Sequence, residues 1–267
     1  MSAGAAATRH AWPPPPGGTW VIDLDGVIWL TGHPITGVEQ AVAALRGAGV
    51  RVIFATNNSA PTRAELHKRL ANCGITAPDD DLLSSADVTA ALLSPGTTAV
   101  VLADDGVREA LRARGVTMVE SGPTDAVVVG WTRSFTFDAV AAAATAIRGG
   151  ARFIGTNEDP THPTPDGLLP GTGALLAAVA TAAEAIPEVA GKPHPPTAHA
   201  LAARADDIRA MVGDRASTDG ALAGQLDVPF ALVLSGVTGP DQVPSDPPPA
   251  SVTPDLATLV RTTLDAW

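Results

Sequence analysis

The apolar run Trp20-Val21-Ile22 ends in Asp23-Leu24-Asp25-Gly26-Val27, two carboxylates at alternate positions where the chain turns. Side chains alternate along a strand, so Asp23 and Asp25 emerge on one side and Leu24 on the other. Gly26 lets the backbone turn away. Two ionised carboxylates at one spot repel unless a cation lies between them, and such an oxygen-rich cluster suits Mg2+. The same acids could instead cap a helix or face water, and the motif alone admits both readings.

Three more polar clusters end apolar segments or punctuate them. Thr56-Asn57-Asn58 follows Val52-Ile53-Phe54, Lys192 lies in Gly191-Lys192-Pro193, and Asp214 and Asp219 lie in Gly213-Asp214-Arg215-Ala216-Ser217-Thr218-Asp219 after Met211-Val212. Singly, each has an ordinary explanation: turn or cap residues, a solvated charge, helix-starting acids. In an open parallel sheet, however, ligands bind outside the carboxyl ends of the strands, where loops from separate units converge. Four such loops would meet there, and Lys192 is one of only two lysines in the chain, with Lys68.

The elements that must position these loops follow from hydrophobic periodicity. Trp20 to Ile22 opens a buried strand, and a helix follows with Val38, Val42 and Leu45 at i, i+4 and i+7. Thr36 and Glu39 have capping-box spacing at its start, and Thr62 and Glu65 repeat it before Leu66 and Leu70, after a strand over 51–55. A fresh series begins near residue 97: strand 98–103, helix 105–114, strand 126–130, helix 136–148, strand 151–155, a loop rich in Pro, Thr and Asp, and a helix over 172–185. A helix near 196–204, a strand over 208–212, a helix from 218, a strand over 230–234 and a last helix from 254 resume the first pattern, with 244–254 as a surface connection. This alternation predicts an α/β fold with parallel sheets. Pro95-Gly96 and the stretch from Pro187 to Gly191 punctuate the chain, so 96–189 is expected to be an α/β domain inserted between the core segments 19–95 and 190–267. Residues 1–18, with the run Pro13 to Pro16, read as a disordered tail rather than a secretory signal.

With 17 basic and 28 acidic residues the net charge is −11, the wrong sign for a surface that must replace counterions around phosphates, so nucleic acid is a poor partner. At 45% hydrophobic and 17% charged, the chain can build a packed core. One cysteine, Cys73, forms no internal disulfide, which points to the cytoplasm, and no run of about 18 apolar residues points to a membrane span.

The order of the four loops resembles the haloacid dehalogenase superfamily of phosphotransferases, with its Asp-x-Asp strand end, Thr or Ser, Lys, and Gly-Asp-x-x-x-Asp type acid loop. Asp-Leu-Asp-Gly-Val, Thr-Asn-Asn, Gly-Lys-Pro, Gly-Asp-x-x-x-Thr-Asp and Leu234-Ser235-Gly236-Val237 are spaced as in its nitrophenylphosphatase, phosphoglycolate phosphatase and chronophin branch, over residues 19 to about 260. The resemblance implies a Rossmann-like core with an inserted α/β cap, and Mg2+-dependent hydrolysis of small soluble phosphomonoesters. Glycerol phosphate, phosphoglycolate, pyridoxal phosphate and nucleoside monophosphates are the candidate substrates. By resemblance Asp23 is the nucleophile that forms an aspartyl-phosphate, and Asp25 protonates the departing oxygen and then takes a proton from water. Asp23, Asp214 and Asp25, the last through its backbone carbonyl, would hold Mg2+, with Asp219 in support. Thr56, Asn57, Asn58 and Lys192 would hold the phosphoryl oxygens.

In Asn157-Glu158-Asp159-Pro160-Thr161-His162-Pro163 the resemblance places His162 above the site, where it would select substrate; an exposed loop histidine is an equal reading. Pro170-Gly171-Thr172-Gly173 reads as a helix start rather than a phosphate nest, and Trp131 and Arg133 as cleft or core residues. Relatives often pair through the cap, so a homodimer is allowed. Other functions remain open: transfer of the phosphoryl group to an alcohol, or a phospho-ligand sensor that does not turn over. A dinucleotide-binding oxidoreductase is disfavoured, because no Gly-x-Gly-x-x-Gly follows the first strand.

Overall fold

A computed structural model describes residues 11–164, 167–244 and 248–267. In chain order, β1 (Thr19–Ile22), β2 (Trp29–Leu30), β3 (His33–Pro34), α1 (Val38–Gly47), β4 (Arg51–Thr56), α2 (Arg63–Asn72) and β5 (Leu82–Ser84) come first. Then follow α3 (Ser85–Ala91), β6 (Thr98–Leu102), α4 (Asp105–Ala113), β7 (Thr117–Val119), β8 (Ala126–Val129), α5 (Phe137–Arg148), β9 (Arg152–Gly155), β10 (Thr161–Thr164), β11 (Gly167–Pro170), α6 (Thr172–Ala183) and β12 (Glu188–Val189). The rest of the chain forms α7 (Pro195–Ala202), β13 (Ile208–Gly213), α8 (Ala221–Leu226), β14 (Phe230–Val233), β15 (Ser251–Thr253) and α9 (Leu256–Leu264). The α/β class expected from the alternation is the class observed.

Two compact units divide the chain. The first comprises the residues up to Thr56, His67–Leu83 and Ala198–Trp267; the second comprises Asn57–Leu66 and Ser84–Thr197. In the first, the strands lie in the order β15-β14-β13-β1-β4-β5, with β1 parallel to both β13 and β4. Renumbered along this unit, that is the doubly wound order 3-2-1-4-5-6, whose switch point lies between β1 and β13. Trp20, Val21 and Ile22 are fully buried, as a central strand covered on both faces requires.

The second unit has its own parallel sheet, β12-β9-β8-β6-β7. Alternation along its strands divides the core. Val100, Leu102, Val127 and Val129 pack with α5 and α6, whereas Ala99, Val101, Ala126 and Val128 pack with α3 and α4.

The long segment of the second compact unit runs from Ser84, where Ala86, Ala90 and Leu93 share one buried cluster with Val101 and Leu111. The unit also takes in 57–66: the Asn157 amide donates to the Asn57 carbonyl at 2.7 Å, and Gly106 N–H to that of Ala60 at 2.9 Å. Several sequence expectations differ from the structure. The loop expected after β9 contains the β10–β11 hairpin, with His162 opposite Leu169. Part of the expected connection over 244–254 is the edge strand β15, parallel to β14. The Thr62–Glu65 capping box is present, Thr62 N–H donating to Glu65 Oε2 at 2.8 Å and Glu65 N–H to Thr62 Oγ1 at 3.3 Å. No such box forms at Thr36–Glu39, because Gly37 in a left-handed conformation caps α1 instead.

The Pro-rich tail is ordered where it is described. Trp12 packs edge-on against Trp20 at 5.1 Å and donates its indole N–H to Thr263 at 3.1 Å, while Trp267 donates to the Pro14 carbonyl at 2.8 Å. Two tryptophans bury more area than a flexible segment can forgo, and a proline-rich chain loses little entropy on docking. Residues 1–10 of the expected tail lie outside the described residues.

Candidate active site

The first unit gathers three carboxylates at its switch point. Asp23 follows β1 and Asp214 follows β13, the strand beside it; Asp23 N–H still donates to the Val212 carbonyl at 2.9 Å, so the two strands stay paired up to the point where their acids emerge. Asp219 returns to the same spot through a π-helical turn over Ala216–Gly220. Asp23, Asp214 and Asp219 are all buried, with carboxylate oxygens within 4.8 Å of one another. Hard anionic oxygens packed this closely, away from water, fit a hard divalent cation of the Mg2+ or Ca2+ kind.

Neighbouring loops fix Asp214. Val237 N–H donates to its Oδ2 at 2.6 Å, Thr238 Oγ1 donates to its backbone carbonyl at 2.5 Å, and Ser235 Oγ donates to the Gly26 carbonyl at 2.7 Å. Two glycines make room for this. Gly26, at φ +86°, and Gly236 both lie so close to Asp214 that a Cβ on either would strike its Oδ2.

Asp25 stands apart from the trio. Its Oδ1 accepts the Trp29 indole N–H at 2.9 Å and its Oδ2 accepts the Thr56 hydroxyl at 3.2 Å. Of the two carboxylates in Asp23-Leu24-Asp25, Asp23 gathers with Asp214 and Asp219, while the Asp25 side chain is bonded to Trp29 and Thr56. Strand alternation alone could not foresee this, because the chain turns at Asp25 and Gly26, where Gly26 N–H donates to the Trp29 carbonyl at 2.7 Å.

Asn57, Asn58 and Lys192 belong to the second unit, and the Asn57 side chain is engaged there with Lys192. Its Oδ1 accepts the Lys192 backbone N–H at 2.7 Å, and its Nδ2 donates to the Lys192 carbonyl at 3.0 Å and to Asp159 Oδ2 at 3.2 Å. The Asn57 carbonyl accepts from Ser85 Oγ and from Asn157 Nδ2, both at 2.7 Å. Asn57 and Lys192 are both buried. Asn58 Oδ1 accepts Ala60 N–H at 3.2 Å, the turn role open to it from sequence. His162 lies against Trp131 with ring centres 4.8 Å apart and planes tilted by 38°, and Trp131 Nε1 donates to the Pro170 carbonyl at 3.0 Å; Arg133 is exposed. Gly171 is the N-cap of α6, the helix start expected there. Burial pushes the Cys73 thiol up, towards its neutral form.

Residues 20–117 match the haloacid dehalogenase-like hydrolase family, and 189–259 match the HAD-hydrolase-like family. A dihydroxyacetone phosphatase of Corynebacterium glutamicum is 33% identical over 93% of this chain and 91% of its own length. The chain belongs to the haloacid dehalogenase-like hydrolases. A D-glycerol 3-phosphate phosphatase of Mycobacterium tuberculosis is 37% identical over 81% of the chain; the chain spans 63% of that relative's length. The crystal structure of a glycerol phosphate phosphatase of the same organism in complex with magnesium superposes with a TM-score of 0.83 at 35% identity, covering 91% of this chain and 76% of that one.

Sequence patterns did not mark the roles of Trp29 beside Asp25 or of Val237 and Thr238 beside Asp214 in the first unit, nor those of Ser85 and Asn157 beside Asn57 in the second. Ser85 was within reach, because Ser84 and Asp87 carry the Ser-x-x-Asp spacing of a capping box, and that box forms at the start of α3. No local pattern marks the others. Among the described residues, no helix is long and apolar enough to cross a membrane.

Proposed function

We propose that this chain is a Mg2+-dependent phosphatase of small phosphomonoesters, acting through an aspartyl-phosphate. The buried trio of Asp23, Asp214 and Asp219 at the switch point of the first unit carries the reading. Asp23, Asp214 and the Asp25 backbone carbonyl would hold the ion, with Asp219 beside them. Bound there, Mg2+ offsets carboxylate charge and polarises a phosphoryl oxygen. A carboxylate oxygen of Asp23 attacks phosphorus, the bond from phosphorus to the ester oxygen breaks, and Asp25 gives that oxygen its proton as the alcohol leaves. Water then yields a proton to the Asp25 carboxylate and attacks phosphorus; the bond to the Asp23 oxygen breaks and inorganic phosphate departs. The motif order assigns the phosphoryl oxygens to Thr56, the Asn57 backbone and Lys192, while the Asn57 side chain fixes the Lys192 backbone and Asn58 shapes the turn.

The relatives named for glycerol 3-phosphate and dihydroxyacetone phosphate support a three-carbon phosphate as substrate, ahead of phosphoglycolate, pyridoxal phosphate and nucleoside monophosphates. The inserted unit, with His162 on its hairpin, would make that selection. A single buried cysteine fits the reducing cytoplasm.

Phosphate release by the full chain with Mg2+ tests the function across these five esters. Glycerol 3-phosphate or dihydroxyacetone phosphate should exceed the other three in kcat/KM by about tenfold, the size of a modest pocket preference. Release from none of them sinks the proposal. Gly236→Ala tests the metal assignment, because a methyl there must displace the Asp214 carboxylate. The Mg2+ concentration for half-maximal rate should rise by about 10- to 100-fold, as for other changes just outside a metal's ligands. An unchanged requirement in a folded variant counts against Asp214 as a ligand.

A further inference from the structure

We infer that Trp29 is a positioning residue that selects which oxygen of Asp25 carries the catalytic proton. The inference rests on the acid–base role proposed for Asp25 and adds a residue to it. The two Asp25 oxygens have unlike partners: Oδ1 accepts the Trp29 indole N–H at 2.9 Å, and Oδ2 accepts the Thr56 hydroxyl at 3.2 Å. An indole nitrogen only donates, so Oδ1 must stay an acceptor whenever that bond is made. A threonine hydroxyl can turn to donate or accept, so a hydrogen on the oxygen facing Thr56 finds an acceptor, whereas a hydrogen on Oδ1 would weaken that oxygen as the acceptor of the indole N–H; the proton is favoured on Oδ2.

Trp29 itself is fixed. It is 2% exposed, its backbone N–H donates to the Leu24 carbonyl at 3.2 Å, and its carbonyl accepts from Gly26 at 2.7 Å. Buried in this way, the indole favours one orientation of the Asp25 carboxyl group, with Oδ1 turned to Trp29 as acceptor and Oδ2 turned to Thr56. In the first half-reaction the Oδ2 proton passes to the ester oxygen as its bond to phosphorus breaks, leaving Asp25 ionised. In the second half-reaction Oδ2 recovers a proton from water.

The test compares phenyl phosphate with p-nitrophenyl phosphate, because phenoxide is a poor leaving group that needs the proton and nitrophenoxide departs as the anion. In a mechanism with a covalent intermediate, kcat/KM ends at leaving-group departure and so reads the first half-reaction without the second, and the comparison of the two esters isolates the acid's share of it. Trp29→Phe should lower kcat/KM for phenyl phosphate by at least about tenfold, part of the 10²- to 10⁴-fold that general acids supply, and change it less than about threefold for p-nitrophenyl phosphate. Replacing Trp29 by 3-benzothienylalanine, which keeps the ring outline and deletes only the N–H, should give the same pattern if the phenylalanine variant packs poorly. Asp25→Asn serves as reference. If Asp25→Asn loses phenyl phosphate selectively and both Trp29 variants lose the two esters equally or not at all, the Trp29 inference is overturned. If Asp25→Asn itself lacks that selectivity, the acid role of Asp25 fails and takes the inference with it.

Discussion

Asp23→Asn will keep the fold and lower phosphate release by about 10⁴-fold or more, the scale of losing a catalytic nucleophile. Aspartate and asparagine share a shape, and the bond that holds this position in the sheet, from its own N–H to the Val212 carbonyl, belongs to the backbone. What disappears is the anionic oxygen that would bond to phosphorus. One buried charge also leaves the trio, so without divalent cation the variant should melt no lower than the parent chain. Rates on glycerol 3-phosphate, read beside melting curves, separate the cases. Release within tenfold of the parent rate by a folded variant would remove Asp23 from the nucleophile's role.

The strand-end residues of this site were legible because each sits where a local pattern changes. Asp23, Thr56 and Asp214 end or directly follow apolar strands, and a run of Val, Ile or Phe stopped by a polar residue marks a strand end whatever the rest of the fold does. The partners of Asp25 and Asp214 were hidden for the opposite reason. Trp29 reads as one more core aromatic, and its bond to Asp25 depends on a turn closed by Gly26 N–H and the Trp29 carbonyl. Val237 serves Asp214 through its backbone, which no residue type announces. The start of the compact unit at Ser84 carries no local signal for a related reason: α3 has small side chains, Ala86 and Ala90, whose burial against Val101 and Leu111 is decided by contacts within the second unit rather than by an apolar stripe. The Pro-rich stretch from Pro13 to Pro16 has the composition of a free tail, yet it is anchored by Trp12 at one end and, through the Pro14 carbonyl, by Trp267 near the middle.

Removing divalent cations will abolish turnover of every ester and destabilise the first unit, and the two effects share one cause. Two ionised carboxylates about 4 Å apart repel by about 4 kcal/mol at the effective dielectric near a protein surface. Asp23, Asp214 and Asp219 make three such pairs within 4.8 Å, all buried. A phosphate dianion approaching them adds further repulsion, so without a cation neither the empty site nor the loaded one is favourable. Chelator should therefore reduce phosphate release to background, and Mg2+ should restore it. In the absence of substrate, Mg2+ at about 100 times its dissociation constant should stabilise the chain by about 2.7 kcal/mol, read as a rise in melting temperature. Asp219→Asn separates charge relief from ligation: it should raise the melting temperature of the metal-free chain and shrink the rise that Mg2+ produces. If turnover survives chelation and the melting temperature ignores Mg2+, the three acids are held together by something other than a metal, and the phosphatase proposal loses the observation it stands on.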